Sequence, residues 1–220
     1  MSRNYLFVVA HSDDELLGCG ATIQKLVADG HHVSVCCMTH DAPTREANIY
    51  QTMLETHRVL GIENSLSGIS TAMELCKHDR HGLVSFIEDA IRATKPDVIV
   101  THSNNDLHKD HVITSELTLE AMRLPQRLIE NVKPIKEVLM FEIPCSTAWG
   151  IKPFEPNKFI DVTEKQLQKK IELIEMYENV IRRNPHPRSK DNIMALARVR
   201  GCQGGFDFAE AYRTVYSTEI

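Results

Sequence analysis

Residues 8–20 read VVAHSDDELLGCG, and the rest of the chain can be interpreted outward from this stretch. It continues an apolar run that starts at Tyr5 and is typical of a buried strand. The run ends abruptly at His11, and three consecutive acids follow at positions 13–15. Carboxylates buried together repel one another unless a cation or a shared proton neutralises them. The stretch therefore predicts a divalent metal ion at the end of a strand.

The spacing of His11 and Asp14 supports this metal site. Residues three apart in a turn, or in the first turn of a helix, face the same point. A histidine with an aspartate suits zinc, and it also suits iron or manganese. Asp13, between the two, is then left over for proton transfer. The stretch alone also fits an acidic helix N-terminus, where the helix dipole favours negative charge.

A second cluster of the same kind lies further along the chain. The apolar run VIVT at 98–101 is followed by HSNNDLHKDH at 102–111. In an open parallel sheet, ligands bind outside the carboxyl ends of the strands, so the two clusters would meet at one edge. The second cluster therefore supplies candidates for a third ligand. His102 is a candidate outer partner of the site, and Asp106 or Asp110 can accept the second N–H of a metal-binding histidine.

Three segments resemble one family. AHSDDELLGCG at 10–20 resembles the AHPDDE signature of the LmbE-like, or PIG-L, de-N-acetylases, and HKDH at 108–111 resembles the second family motif, HPDH. ALARVRGCQGGFDFAEAY at 195–212 resembles the closing segment of the family. The likeness covers nearly the whole chain, with the motifs in the family's order. Ser12 and Lys109 stand where the family usually has proline.

The resemblance implies a role for each matching residue. His11, Asp14 and His111 match the metal ligands, and Asp13 matches the general base. His108 matches a histidine that acts as acid or oxyanion stabiliser, and Asp110 matches an acid that orients its neighbours, which gives Asp13, His108 and Asp110 as the catalytic residues. The metal implied is Zn2+, with Fe2+ or Mn2+ as open alternatives. Either Asp13 or His108 can protonate the leaving amine.

The implied reaction removes the acetyl group from an N-acetylated amino sugar, with Asp13 assisting the attack of water activated at the metal. The sugar is of the N-acetylglucosamine type and can be nucleotide-linked or a surface-polysaccharide precursor. Two other functions stay open: a metal-dependent amide hydrolase with a non-sugar substrate, and a non-catalytic member that binds metal or sugar. A nucleotide-binding protein is disfavoured, because GCGATI at 18–23 lacks a third glycine and the preceding acids would repel a pyrophosphate.

The expected contacts with substrate lie in three loops. Asp41 and Arg45 follow the second predicted strand, and Asp106 belongs to the second cluster. Arg188 lies in a basic, proline-containing loop that can hold a phosphate group. A solvated turn and ordinary cap residues are the alternatives for these positions.

The composition narrows the class of protein. The chain has 220 residues, which suits one α/β domain over residues 1–220. A net charge of −5 disfavours nucleic acid as a partner, and no apolar run reaches the length of a membrane span. The short N-terminal apolar segment is not a signal peptide, which favours a cytoplasmic protein. Six cysteines without a CxxC pair suggest neither a zinc ribbon nor a disulfide framework. The expected binding partner is a small-molecule substrate. The family resemblance also allows the chain to form homo-oligomers.

The periodicity of apolar residues predicts a single Rossmann-like α/β domain, with a mostly parallel sheet and helices on both faces. The first strand, helix and second strand form a right-handed βαβ unit. Residues 62–71 are ambiguous. The predicted strands are 5–10, 33–38, 97–101, 137–143 and 159–162. The predicted helices are 18–28, 45–60, 81–94, 110–124, 163–181, 193–200 and 206–214.

Overall fold

The computed structural model describes residues 2–41, 48–127, 132–149 and 152–219. The strands within these ranges are β1 Asn4–Val9, β2 His32–Asp41, β3 Asn64–Thr71, β4 Val98–His102, β5 Glu137–Phe141, β6 Lys158–Asp161 and β7 Ala209–Ser217. The α-helices are α1 Asp14–Ala28, α2 Ile49–Leu60, α3 Arg80–Thr94, α4 Lys109–Ala121, α5 Glu164–Ile174 and α6 Lys190–Gly204. Among these residues, no helix is both long and apolar enough to cross a membrane.

The strands form one sheet in the order β3-β2-β1-β4-β5-β7-β6. The pairs β1–β2, β2–β3, β1–β4 and β4–β5 are parallel, whereas β7 is antiparallel to both β5 and β6. The mixed sheet, mostly parallel, confirms the predicted fold class. Strands β2 and β3 follow β1 on one side of it in the sheet, whereas β4 and the later strands lie on its other side. The crevice at such a switch point, outside the carboxyl ends of β1 and β4, is where ligands of open α/β sheets bind.

Both faces of the sheet are covered, which explains why β1 is apolar throughout rather than alternating. Phe7 and Val9 belong to a core cluster that includes residues of α1, α2, α5 and α6. Leu6 and Val8 belong to a second cluster, with residues of α3 and α4. The alternation of side chains along a strand thus sends half of β1 into each core. Both cores hold β1 rigidly, and therefore hold the turn that follows it.

Gly18 explains how α1 fits against the sheet. A Cβ atom at this position would lie 2.2 Å from the ring of Phe141 in β5. Only glycine lets the helix approach the strand so closely. The glycine in GCGATI therefore serves the packing of the helix that begins at Asp14.

The C-terminal part of the predicted secondary structure is wrong in one element. Residues 206–214 were expected to be a helix, but residues 209–217 form β7, which fills the place between β5 and β6. The preceding helix α6 ends at Gly205, whose φ of 80° is left-handed and stops the helix. After this stop, the first four residues of β7 are all buried, and pairing with β5 and β6 decides the conformation.

Other boundaries differ by less. Helix α5 has the predicted Thr163 cap, including the reciprocal bonds with Gln166, but it ends at Ile174 instead of 181. Helix α1 begins at Asp14, four residues before the prediction, so the acids form its first turn. The ambiguous segment 62–71 contains the edge strand β3. The helix predicted from position 45 is described from Ile49 onward.

Candidate metal centre

The topology brings the two His/Asp clusters together. Strands β1 and β4 are adjacent and parallel, with Val8 level with Thr101. His11 follows β1 by two residues, and His102 is the last residue of β4. Helix α4 begins at Lys109, so that His111 lies in its first turn, as predicted. Both clusters therefore lie at the same edge of the sheet, in the crevice between β1 and β4.

Three donor atoms form a compact triangle. His11 Nδ1 lies 3.1 Å from Asp14 Oδ2 and 3.3 Å from His111 Nε2, and the distance from Asp14 Oδ2 to His111 Nε2 is 3.4 Å. Ligands about 2.0–2.1 Å from a tetrahedral zinc ion are separated by roughly 3.3 Å. The triangle therefore has the dimensions of one face of a zinc coordination tetrahedron. The two nitrogens and one carboxylate oxygen fit a transition metal of the zinc or iron type.

Each of the two histidines is oriented by a carboxylate on its other ring nitrogen. Asp110 Oδ2 lies 3.1 Å from His11 Nε2, and Asp106 Oδ2 lies 2.8 Å from His111 Nδ1. Such pairs are typical of metal-binding histidines, because the carboxylate fixes the tautomer that leaves the other nitrogen free to coordinate. Asp110 also accepts the backbone N–H of Met73 at 2.6 Å. These are the acids that the sequence predicted as acceptors of a histidine N–H.

Asp106 uses both of its oxygens within the protein. Oδ1 accepts the backbone N–H of His108 at 2.8 Å, and Oδ2 accepts the hydroxyl of Ser146, also at 2.8 Å. With His111 on the same Oδ2, the carboxylate is buried and surrounded. The expectation that Asp106 contacts substrate therefore fits the geometry poorly. Its contacts favour holding His111 and the turn before α4.

The electrostatics of the cluster favour a cation. Burial by itself would raise the pKa of Asp14, but the charges of His111 and His11 outweigh burial and hold it well below the usual range. Burial would lower the pKa of His111, but Asp14 and Asp106 raise it to about 10. The negative field that keeps a proton on His111 also attracts a divalent cation to the same point. The pKa values of Asp106 and Asp110 are likewise lowered, against the effect of burial, by hydrogen bonds to the histidines.

Two further histidines complete the cluster as neutral rings. Burial, together with the charges of neighbouring histidines, lowers the pKa of His102 and of His108 to about 4. His102 Nε2 accepts the backbone N–H of Ala10 at 2.9 Å, and its ring stacks on His111 with centroids 4.1 Å apart. His108 stacks on His111 with ring centroids 4.5 Å apart, and it meets the His11 ring edge-on with centroids 4.7 Å apart. His108 can also contribute a nitrogen to a cluster with His11 and His111.

Asp13 is buried and stands next to Asp14 in the chain. It precedes α1, yet its side chain makes no capping hydrogen bond to that helix, and it is 1% exposed. The alternative of an acidic helix N-terminus, favoured by the helix dipole, stays open for Asp14 and Glu15 in the first turn of α1. Because Asp14 is the adjacent residue, Asp13 leaves the chain beside the donor triangle.

The other expected substrate contacts are placed as follows. Arg188 is half-buried, and its Nε donates to the carbonyl oxygen of Pro144, 3.3 Å away. Pro144 lies two residues before Ser146, which bonds to Asp106, so Arg188 borders the same edge of the sheet. The side chain of Asp41 and the whole of Arg45 lie outside the described residues.

Sequence reasoning missed several supporting residues. Ser146 and Met73 support the two orienting acids from loops that carry no recognisable motif. Tyr177 contacts the turn after β1 from beyond the end of α5, and only the tertiary structure reveals this contact. His102, by contrast, was predicted to support the metal ligands from outside, because it lies at the end of a predicted strand.

Comparisons with known proteins agree with this picture. Residues 6–122, more than half of the chain, match the PIG-L family, described as GlcNAc-PI de-N-acetylase. A relative described as uncharacterized deacetylase YaiS, from Escherichia coli strain K12, is 25% identical over 186 residues, which is 80% of this chain and 91% of the relative.

Solved structures share the fold. The N,N'-diacetylchitobiose deacetylase of Pyrococcus horikoshii superposes with a TM-score of 0.79 at 19% identity, covering 97% of this chain and 84% of the other. GalB, the 4-carboxy-2-hydroxymuconate hydratase of Pseudomonas putida KT2440, superposes with a TM-score of 0.74 at 20% identity, covering 99% and 98%. The fold therefore carries more than one chemistry, and the class of this protein depends on its family match as well.

Fold and site together define an α/β protein of the LmbE-like kind, with a candidate metal centre at the switch point of the sheet. The chain belongs to the PIG-L family, and it is an N-deacetylase, a hydrolase of amide bonds.

Proposed function

We propose that this protein is a zinc-dependent hydrolase that removes the acetyl group from an N-acetylated amino sugar. The observation that carries the proposal is the triangle formed by His11 Nδ1, Asp14 Oδ2 and His111 Nε2, with edges of 3.1–3.4 Å. In this proposal these three residues hold the metal. Three protein ligands are typical of a catalytic zinc site, because a fourth position is then left for water or substrate.

When bound, the metal supplies Lewis-acid chemistry: it lowers the pKa of water and polarises the acetyl carbonyl. The remaining chemistry belongs to the protein. Asp13 is the general base that takes a proton from the attacking water, since it is adjacent to a ligand but is not itself one. The same carboxyl group can return that proton to the leaving amine. The products are acetate and the free amino sugar.

His108 assists in the proposal as a neutral donor. The charges around it, together with burial, lower its pKa to about 4, so the ring is neutral at pH 7. A neutral imidazole can still donate one N–H to the oxyanion that develops as water attacks the carbonyl. His108 Nδ1 is buried and has no hydrogen-bond partner among the described residues. Asp110 acts through His11 rather than on the substrate, because its carboxylate lies 3.1 Å from His11 Nε2.

The proposed substrate class is supported by the relatives. The family description names an N-acetylglucosamine derivative, and the Pyrococcus horikoshii structure is a deacetylase of an N-acetylated disaccharide. In this proposal Arg188, whose Nε donates to the carbonyl oxygen of Pro144, binds an anionic group on the sugar. Asp41 and Arg45 stay proposed contacts from the loop after β2. A substrate with a phosphate, such as a sugar nucleotide, is consistent with the two arginines in this proposal, Arg45 and Arg188.

The test is acetate release from a panel of N-acetylated compounds by metal-stripped protein, with and without added zinc. The panel contains N-acetylglucosamine, its 1-phosphate, UDP-N-acetylglucosamine, N,N'-diacetylchitobiose and the non-sugar amide N-acetylcysteine. We expect zinc-dependent acetate from at least one sugar and none from N-acetylcysteine. Acetate from N-acetylcysteine alone would contradict the sugar assignment and favour a non-sugar amide hydrolase.

A pair of variants tests the role of the base. Asp13→Asn should bind zinc as the wild type does and release no acetate. The control is Asp161→Asn, which changes an exposed aspartate at the end of β6, far from the site, and should keep full activity. Near-normal turnover by Asp13→Asn would overturn the assignment of the base. Zinc binding without acetate from any compound, by the wild type, would favour a non-catalytic binding protein.

A further inference from the structure

A buried hydrogen bond joins the end of α5 to the turn that carries the site. The hydroxyl of Tyr177 donates to the carbonyl oxygen of Ser12 at 2.5 Å, across 165 positions of sequence. Both residues are 2% exposed. Ser12 lies between His11 and Asp13, so this bond contacts the chain between a proposed ligand and the proposed base.

The Ser12 carbonyl has no place in the hydrogen bonding of α1. The first helical bond at this end runs from the N–H of Leu17 to the carbonyl of Asp13, at 3.0 Å. The carbonyl of Ser12 precedes it and is buried, and buried carbonyl groups need a donor. Within the described part of the chain, the donor is Tyr177, which reaches the turn from another element.

The bond fixes one peptide plane. A peptide unit is planar, so the direction of the Ser12 carbonyl fixes the position of the Asp13 nitrogen in the same plane. A rotation of this plane changes ψ of Ser12 and φ of Asp13 in opposite senses, so both Cα atoms stay nearly in place and the Asp13 Cα–Cβ bond tilts only slightly. Because a misplacement of about 1 Å can cost a large part of the rate, even a slight tilt would affect turnover without moving the neighbouring ligands.

The ligands themselves are held by other contacts. The backbone N–H of His11 donates to Asp14 Oδ2 at 2.8 Å, and His11 Nε2 contacts Asp110. The backbone of Ala10 is held at its carbonyl by the Thr39 hydroxyl at 2.8 Å. Loss of the Tyr177 bond would therefore release the Ser12–Asp13 peptide while leaving these contacts in place.

The Tyr177 hydroxyl is kept in the form that donates. Burial, with a contribution from the charge of Glu15, raises the pKa of Tyr177 well above its usual value, so the phenol is protonated at neutral pH. Thr56 Oγ1, on α2, lies 3.1 Å from the phenol oxygen and restricts the direction of its O–H bond. Three separate elements, α2, the segment after α5 and the β1–α1 turn, thus meet at this hydroxyl.

We propose that Tyr177 is a positioning residue for the deacetylation reaction, and that it acts by fixing the Ser12–Asp13 peptide and hence the approach of the Asp13 carboxylate to water. The inference rests on the proposed function, in which Asp13 is the base. Tyr177 lies outside the family motifs. In this proposal it affects the turnover rate but not the binding of the metal.

The test compares Tyr177→Phe with the wild type as zinc-loaded full-length proteins. Because loss of an outer partner typically reduces activity or metal affinity 10–100-fold, we expect kcat to fall by roughly that factor. KM, the zinc dissociation constant and the visible spectrum of the cobalt-substituted protein should be unchanged. The control is Tyr212→Phe, which removes another fully buried hydroxyl, beside Cys19 and Thr22, and should leave kcat unchanged.

A double-mutant cycle with Asp13→Glu, which keeps a carboxylate but displaces it, separates positioning from general stability. If Tyr177 acts through Asp13, Tyr177→Phe should lower the rate of Asp13→Glu by less than it lowers the wild-type rate, whereas a structural role predicts that the two losses multiply. If Tyr177→Phe does not fold, Thr56→Val decides, since it loosens the hydroxyl and should lower kcat at constant zinc affinity.

Two results would overturn the inference: an unchanged kcat in Tyr177→Phe, or a loss of zinc affinity that accompanies the loss of kcat. A wild-type protein that releases no acetate would instead contradict the proposed function.

Discussion

The replacement Asp106→Asn tests how the site selects the metal-binding nitrogen of His111. Asp106 makes three hydrogen bonds of 2.8 Å, to His111 Nδ1, to the Ser146 hydroxyl and to the His108 backbone N–H. Asparagine has nearly the same shape, and its oxygen can still accept the His108 N–H. The amide nitrogen then takes the place of Oδ2. Its N–H groups face His111 Nδ1–H and the Ser146 hydroxyl, which are themselves donors.

In the neutral, metal-binding form of the ring, His111 can relieve this clash by keeping its one proton on Nε2 instead of Nδ1. Nε2 is the atom that lies 3.3 Å from His11 Nδ1 and 3.4 Å from Asp14 Oδ2, so a proton there would occupy the proposed ligand position. Replacing an orienting carboxylate of this kind typically weakens metal binding 10–100-fold. That factor corresponds to about 1.4–2.8 kcal/mol of binding free energy.

The assay is competition for zinc between the metal-stripped protein and a chromogenic chelator at neutral pH. Ser146→Ala is the matched control, because it removes one hydrogen bond from the same carboxylate oxygen but leaves the bond to His111. We expect a smaller loss of affinity in the control than in Asp106→Asn. Wild-type zinc affinity in Asp106→Asn, or an equal loss in both variants, would refute this account of His111.

Three further predictions concern the scaffold. Gly18→Ala should lower the free energy of unfolding by about 1–3 kcal/mol, because its Cβ would lie 2.2 Å from the Phe141 ring; an unchanged melting temperature would contradict the close approach. Lys170→Met should cost about 3–5 kcal/mol in urea unfolding, because it removes the cation 2.6 Å from the buried Glu210 carboxylate, and adding Glu210→Gln should recover part of the loss. Burial would raise the pKa of Asp97, but a backbone N–H and two lysines hold this pKa below 3.8. The ionised carboxylate therefore stabilises the fold above pH 3.8, and this stabilisation is lost as the pH falls further. Asp97→Asn should therefore reduce the fall in melting temperature below pH 3.8, and an equally steep fall would argue against this contribution.

The residues at the ends of β1 and β4 could be predicted from sequence because their chemistry conflicts with their surroundings. An apolar strand that ends in histidines and acids is unfavourable without a cation, and the parallel sheet determines that both ends meet. The position of His111 in the first turn of α4 followed from the same pattern. The proposed ligand set came from the family resemblance, and the structure brings its donor atoms to within 3.4 Å of one another.

The features that sequence could not predict depend on long-range packing. Strand β7 has a periodicity that also fits a helix, and only its insertion between β5 and β6 decides for the strand. Asp106 was expected to contact substrate, but its surroundings include Ser146, forty positions away. Likewise, nothing near Tyr177 in the sequence indicates that its hydroxyl reaches Ser12. Local patterns identify chemical groups, and the tertiary structure decides which of these groups meet.

The most direct test of the central claim is a titration of metal-stripped protein with zinc, with acetate release followed from the best N-acetylated sugar. The account predicts no acetate without metal and a rate that rises until one zinc ion is bound per chain. Asp13→Asn should bind the same amount of zinc and stay inactive. Acetate release by the metal-stripped protein, or full activity of Asp13→Asn with zinc bound, would contradict the account.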